Sequence, residues 1–245
     1  MPSPSPRRWL LLRGLVREAR HWGDFPDRLR ARGVEVLTLD LPGVGTERHR
    51  SSPWSVPEIV DDLRARLPRD GVPTGVYAQS LGGMIALDWA SRHPQDFTHA
   101  VVANTSARDL SGLADRLSWF GRATIVRAMV ARTQLARARL VLRLVANSDG
   151  GRAHAEAFAA LATASPIDPS VLLRQIVAGA RQRAPATVPV PLLVLISDAD
   201  RMVSPRCSRV IAAKYGAQVA VHPTGGHDLP LDDPAWVVER ILGFG

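Results

Sequence analysis

The sequence predicts an α/β fold, a doubly wound parallel sheet of about six strands with a helical insertion. Three observations predict it. Short, continuously apolar runs recur along the 245 residues, helix-like stretches lie between them, and one long segment, 107–187, holds no convincing strand. Continuous apolar runs of four to seven residues suit strands buried on both faces, as in parallel sheets. Their alternation with helices implies right-handed crossovers.

The elements follow in order. Residues 1–7 are rich in Pro and Ser and are expected to be a disordered N-terminus. Trp9–Leu12 is the first strand, and residues 18–32 read as helical. Val34–Leu39 is the second strand, 56–67 a helix, Val72–Ala78 the third strand and 80–92 a helix that stops before Pro94. Phe97–Ala103 is the fourth strand. After the insertion come a strand at Leu192–Ile196, a helix at 204–215, a strand at Gln218–Val221 and a helix at 233–242. Gly, Pro or Asp bounds each run, as strand ends require. The expected division is a core of 8–106 and 188–245, with residues 107–187 inserted.

The insertion is Ala-, Leu- and Arg-rich, broken at Asn147–Gly151 and Ser165–Pro169, and is expected to form three to five helices. It carries too many large apolar residues for a linker. It also carries nearly all of the charge imbalance. The formal net charge is +8 and Lys214 is the sole lysine, yet residues 107–187 hold twelve arginines against five acids. Projected at 100° per residue, Arg132, Arg139 and Arg143 of Gly121–Ala146 fall on one side. That side reads either as a solvated face or as a docking surface for an anionic partner, an acidic carrier protein or an acidic lipid surface. Nucleic acid is not expected, because basic residues alternate with apolar ones and no binding module is present.

Cys207 is the only cysteine, so no internal disulfide forms and a reducing, cytoplasmic setting is expected. The apolar run Trp9–Leu12 is too short for a secretory signal, and no run is long enough for a transmembrane segment. Asn104-Thr105-Ser106 fits a glycosylation acceptor, which has meaning only in a secreted chain. No His/Cys/Asp cluster has metal-ligand spacing, and no Gly-rich phosphate fingerprint occurs. No cofactor is expected.

The stretch YAQSLGGM at 77–84 places Ser80 between a strand and a helix. A serine on such a sharp turn holds its hydroxyl above the sheet edge. Taken alone it reads as a helix cap, so a base and an acid must be sought. Gly82 leaves room for strand and helix to approach, whereas Ala78 is one methyl larger than glycine. After Leu192–Ile196 come Asp198 and Asp200, two rival acids. After Gln218–Val221 come His222, adjacent to the strand and read as structural, and His227 in a Gly-Gly-His-Asp loop. A neutral imidazole takes a serine proton, and a carboxylate fixes its tautomer.

On these residues the chain resembles the α/β-hydrolase superfamily over essentially its whole length. The family elbow G-x-S-x-G stands here as Ala78-Gln79-Ser80-Leu81-Gly82, and the family order of nucleophile, acid and base falls on Ser80, Asp200 and His227. The resemblance implies an oxyanion hole made by the amides of Leu81 and Leu15. The family's His-Gly loop opening is Arg13-Gly14 here. That guanidinium either pairs with Glu18 or Asp40 and holds the loop, or helps bind an anionic group. Arg13 and Gln79 are therefore candidate substrate-binding residues, and Arg17, Arg20 and His21 add positive character to the entrance. Asp40-Leu41-Pro42-Gly43-Val44-Gly45 resembles a family loop of mostly structural role.

The resemblance further implies that residues 107–187 cap the nucleophile and shape the acyl pocket. Relatives with a short cap include carboxylesterases, lactonases and esterases that release methyl pimelate from a carrier protein. The implied activity is a serine hydrolase acting on a small-molecule or carrier-bound carboxylic ester or thioester through an acyl-enzyme. The alternatives are a lyase, cyclase or acyltransferase on the same scaffold, or a binding protein that does not catalyse.

Overall fold

Successive side chains of a strand point to opposite faces of a sheet, and the apolar strands of this chain divide in that way. The computed structural model describes residues 4–244. Strands β1 (Arg8–Leu12), β2 (Glu35–Thr38), β3 (Thr74–Gln79), β4 (His99–Ala103), β5 (Leu192–Ser197) and β6 (Gln218–His222) form one sheet in the order β2-β1-β3-β4-β5-β6. Every pairing is parallel. Leu10, Leu12, Val76, Ala78, Val102, Val194 and Ile196 enter one core, while Trp9, Leu11, Tyr77, Val101, Ala103 and Leu195 enter the other. Complete burial of one such side chain contributes roughly 1.5–3 kcal/mol.

Helices close both faces. α2 (Val56–Arg66), α3 (Leu81–Arg92) and α10 (Pro205–Tyr215) add Ile59, Leu63, Ile85, Trp89 and Ile211 to the first core. α1 (Phe25–Arg30) and α12 (Pro234–Leu242) add Phe25, Leu29, Val237 and Ile241 to the second. The four central strands are buried throughout, but β2 and β6 are partly exposed. Burial on both faces therefore fails at the two edges, where neighbouring elements cover only one side.

Two helical stretches are shorter than the sequence suggests. Residues 18–32 split into a 3₁₀ turn at Ala19–Trp22 and α1, because Gly23 adopts φ +59 and Pro26 sits in the first turn of α1. Gly121–Ala146 is not one helix. It divides into α5 (Trp119–Met129) and α6 (Gln134–Val145), and Thr133 caps α6 by accepting from the Ala136 amide. Arg132 lies in the break, so the projected arginine side survives only as Arg139 and Arg143, one turn apart on α6.

Between β4 and β5 there are six helical segments rather than three to five. Two of them, α4 (Leu113–Arg116) and α7 (Asp149–Ala153), are single turns beside α5, α6, α8 (Ala155–Ala164) and α9 (Pro169–Arg181). The segment has its own apolar cluster of Leu142, Leu144, Val145, Ala155 and Phe158, closed by Leu231 of the short helix α11 (Leu229–Asp232). Of residues 1–7, the first three lie outside the described residues. The Arg7 amide already bonds Pro73 O at 2.8 Å.

Candidate active site

In an open parallel sheet, ligands bind beyond the carboxyl ends of the strands. Ser80 follows β3 directly, and Asp200 and His227 lie in the loops that leave β5 at Ser197 and β6 at His222, so all three share that rim. Ser80 has φ 57 and ψ −119, a conformation that L-residues avoid and that marks stored strain. Neighbours hold it there. Its amide donates to Ala103 O at 2.9 Å, and its carbonyl accepts from Thr105 Oγ1 at 2.7 Å. The helix then runs so close to β1 that a Cβ on Gly82 would lie 2.6 Å from the Leu12 and Arg13 carbonyl oxygens. Only glycine fits there.

His227 Nδ1 lies 2.7 Å from Asp200 Oδ2, and both side chains are buried. The other Asp200 oxygen accepts from the amides of Met202 at 2.8 Å and Val203 at 3.0 Å. The carboxylate is thus oriented before the imidazole meets it. Asp198, the rival acid, turns outward to pair with Arg209. His222 accepts from the Gly225 amide at 2.7 Å and faces Asp233, as a loop-holding residue does. Burial alone would lower the His227 pKa. The Asp200 charge and hydrogen bond, with Asp228 nearby, outweigh that and raise it above the ordinary value. Among the described residues, no hydrogen bond joins Ser80 Oγ to His227.

The loop after β1 crosses Ser80. A Cβ on Gly14 would lie 3.1 Å from Ser80 Cβ and 3.6 Å from Ser80 Oγ. A tight turn follows, closed by Arg17 N to Gly14 O at 3.2 Å, with Val16 at φ 48. Neither the Leu15 nor the Leu81 amide has an acceptor among the described residues. Asp40 supports the loop from below, accepting from the Ala19 amide at 2.6 Å and the Thr46 amide at 2.8 Å. A Cβ on Gly45 would strike that same carboxylate, at 2.1 Å.

Arg13 pairs with neither Glu18 nor Asp40, contrary to expectation. Glu18 is engaged by Arg20, and Asp40 by the two amides just named. Arg13 instead makes two hydrogen bonds to Asp228, at 3.1 and 2.6 Å, with its guanidinium 4.4 Å over the Trp22 ring. It is 4% exposed. Burial would raise the Asp228 pKa, but Arg13 holds the carboxylate below its usual range. Gln79 is buried too, and its Nε2 donates to the His227 carbonyl at 2.9 Å. Both residues contact the loop that carries the imidazole.

Sequence reasoning missed three polar residues here. Asn104 has φ 48 at the end of β4. Its Nδ2 donates to His227 O and Ser197 Oγ, both at 2.8 Å, and its Oδ1 accepts from the Ser197 amide. It ties the end of β5 to the His227 loop. Asp232 accepts from the amides of Gly226 and Asn147, which docks the histidine loop against the insertion. Gln175 of α9 is fully buried and accepts from the Val16 amide at 2.8 Å. A run of polar residues at strand ends was the available signal for Asn104. Nothing local marked the other two. A recess of about 400 Å³ between Leu67, Thr74 and Phe97 opens at the opposite rim of the sheet, where the strands begin.

A model of the alpha/beta hydrolase family matches residues 9–240. A pimeloyl-[acyl-carrier protein] methyl ester esterase from Aromatoleum aromaticum is 37% identical over 100 residues, covering 40% of this chain and 36% of that protein. Among solved structures, an esterase from Exiguobacterium antarcticum superposes with a TM-score of 0.80 at 15% identity, covering 98% of this chain and 92% of the other. A lipase-esterase related protein from Clostridium acetobutylicum gives 0.77 at 17% identity, covering 99% and 96%. No helix among the described residues is long and apolar enough to cross a membrane.

Proposed function

Because the chain belongs to the alpha/beta hydrolase family, we propose that it is a serine hydrolase that cleaves a carboxylic ester or thioester through an acyl-enzyme. The observation that carries this reading is the buried Asp200–His227 contact on the same rim as a strained serine. Each part has a chemical task. Ser80 Oγ attacks the carbonyl while His227 Nε2 takes its proton. Asp200 keeps the remaining proton on Nδ1 and stabilises the imidazolium. The Leu15 and Leu81 amides receive the oxyanion. One such donor is worth roughly 3–4 kcal/mol. His227 then protonates the leaving alcohol or thiol. It next activates a water molecule, which releases the acid and restores Ser80. The serine–imidazole hydrogen bond closes when substrate binds, since catalytic hydrogen bonds tighten in the complex.

Residues 107–187 act as the cap in this reading. The partial match to an esterase of a carrier-bound ester supports a carrier-bound or small acyl substrate. An acidic carrier would meet the basic face of the cap. The cytoplasmic assignment rests on the single, buried Cys207.

A fluorophosphonate probe followed by peptide mapping, with a panel of p-nitrophenyl esters, tests the proposal. Labelling at Ser80 together with ester turnover is expected. Labelling without turnover would point to a lyase, cyclase or acyltransferase. Folded protein that takes no label would point to a binding protein.

A further inference from the structure

The loop after β1 carries Arg13 and Arg17, and only Arg13 has a carboxylate in direct contact. Arg13 is neutralised by Asp228. Arg17 is half-buried, and its guanidinium carbon lies 4.8 Å over the ring of Phe158 on α8. Among the described residues it has no ion pair and no side-chain hydrogen bond. The nearby carboxylates are all engaged: Glu18 by Arg20, Asp40 by the loop amides, Asp228 by Arg13. Its other neighbours add no negative charge. His21 accepts from the Glu18 amide through Nδ1, and its pKa falls to about 2 through burial and then the repulsion of Arg17 and Arg13, so it is neutral. Burial, then Arg13, lowers the pKa of Arg17 to about 10, the more distant charge of Asp228 offsetting only part of this, which leaves it charged at neutral pH.

A cation drawn out of water is costly unless a counter-charge meets it. Contact with Phe158 offsets only part of that cost. The position of Arg17 shows where the missing charge belongs. Its amide closes the turn on Gly14, the residue in contact with Ser80. Across such a turn the end Cα atoms lie within about 7 Å. Arg17 also acts electrostatically on Asp228, the residue after His227, so an anion held by its guanidinium would sit at the same rim as Ser80. A guanidinium presents paired donors in a plane, which match a carboxylate.

We infer that Arg17 is a specificity-determining residue that receives a second carboxylate of the substrate, so that the preferred substrates are short half-esters or half-thioesters of dicarboxylic acids. The inference rests on the ester-hydrolase reading above. It moves the anion-binding role from Arg13, which Asp228 occupies, to the arginine one turn further on.

The test compares two acyl chains of equal length, mono-p-nitrophenyl glutarate and p-nitrophenyl valerate, in the wild type, Arg17→Met and Arg17→Lys. The readout is the ratio of kcat/KM for the two esters. The wild type is expected to favour the glutarate by about tenfold or more, as a charge-assisted pair allows. Arg17→Met removes that preference, mainly through KM, and Arg17→Lys keeps part of it. A wild type that favours the valerate, or an unchanged ratio in Arg17→Met, overturns the inference. Calorimetry of glutarate and of inorganic phosphate with Ser80→Ala needs no turnover. Glutarate binding weakened tenfold by a further Arg17→Met supports the site, whereas a preference for phosphate or no dependence on Arg17 contradicts it. If neither ester is cleaved and Ser80 takes no label, the hydrolase reading fails, and glutarate binding still decides the role of Arg17.

Discussion

The sheet rim and the helical segment between β4 and β5 treat their side chains in opposite ways. At the rim, His227, Asn104, Arg13, Asp228 and the Asp200 side chain are buried and held by short hydrogen bonds. In the helical segment, Trp119 is 80% exposed, and Val126 and Met129 of α5 and Val130 just beyond it also face solvent. The buried face of α5 is only Gly121, Thr124 and Ala128. Small residues let the helix lie close without a deep apolar lock. The difference separates two tasks. A network of satisfied buried polar groups fixes geometry, which the proposed proton transfer would need. A lightly packed layer is free to shift, as the proposed cap would when a substrate enters.

Substitutions at the rim should cost far more than those on α5. The largest effect is expected from Ser80→Ala, which lowers kcat for p-nitrophenyl esters by about 10⁶-fold if Ser80 is the nucleophile. A residual rate within tenfold of the wild type would remove the rim from the chemistry. Asp200→Asn comes next, with a loss of about 10⁴-fold through the wrong imidazole tautomer.

Asp200→Asn also has a signature in pH. The active imidazole is neutral, and its pKa lies above the ordinary 6.5. The wild-type kcat/KM should therefore fall as pH drops through a value above 6.5. Without the Asp200 charge, burial dominates, so the acid limb of the variant moves to lower pH. A limb that stays in place would mean that another group titrates.

A third comparison concerns stability. Arg13→Met leaves Asp228 buried and unpaired, and should cost about 3–5 kcal/mol in urea unfolding. Replacing both partners, Arg13→Met with Asp228→Leu, should recover most of the loss. If the double variant is no better than the single one, the pair is not the source of the cost. The smallest effect is expected on α5, where Val126→Ser should change stability by no more than about 0.5 kcal/mol. A loss several times larger would mean that this face is packed and that the contrast is false.

Much of this layout is legible in the sequence because its signals are local. The apolar runs mark all six strands, because the four central ones are buried on both faces and the two partly exposed edge strands still keep apolar residues. Ser80, Asp200 and His227 are legible because each follows its strand within a few residues. The supports of the site are not. Arg13 and Asp228 stand 215 positions apart, and no periodicity connects them. The sequence marks Asn104 only by an acceptor pattern that has no meaning outside a secreted chain, and its bridging role needs the ends of β4, β5 and β6 side by side. The break at Arg132 could have been read from Thr133, a residue type that starts helices. A single helical projection across 121–146 has no place for such a cap. Gly23 and Pro26 likewise announced the break in residues 18–32.

The central claim is that Ser80 carries the acyl group during turnover. Rapid acid quench of the protein during hydrolysis of a p-nitrophenyl ester, followed by peptide mass mapping, measures this directly. The account predicts an acyl adduct on Ser80 that builds up and then decays as substrate is consumed. Hydrolysis that proceeds with Ser80 unmodified throughout, or with the acyl group on another residue, would contradict it.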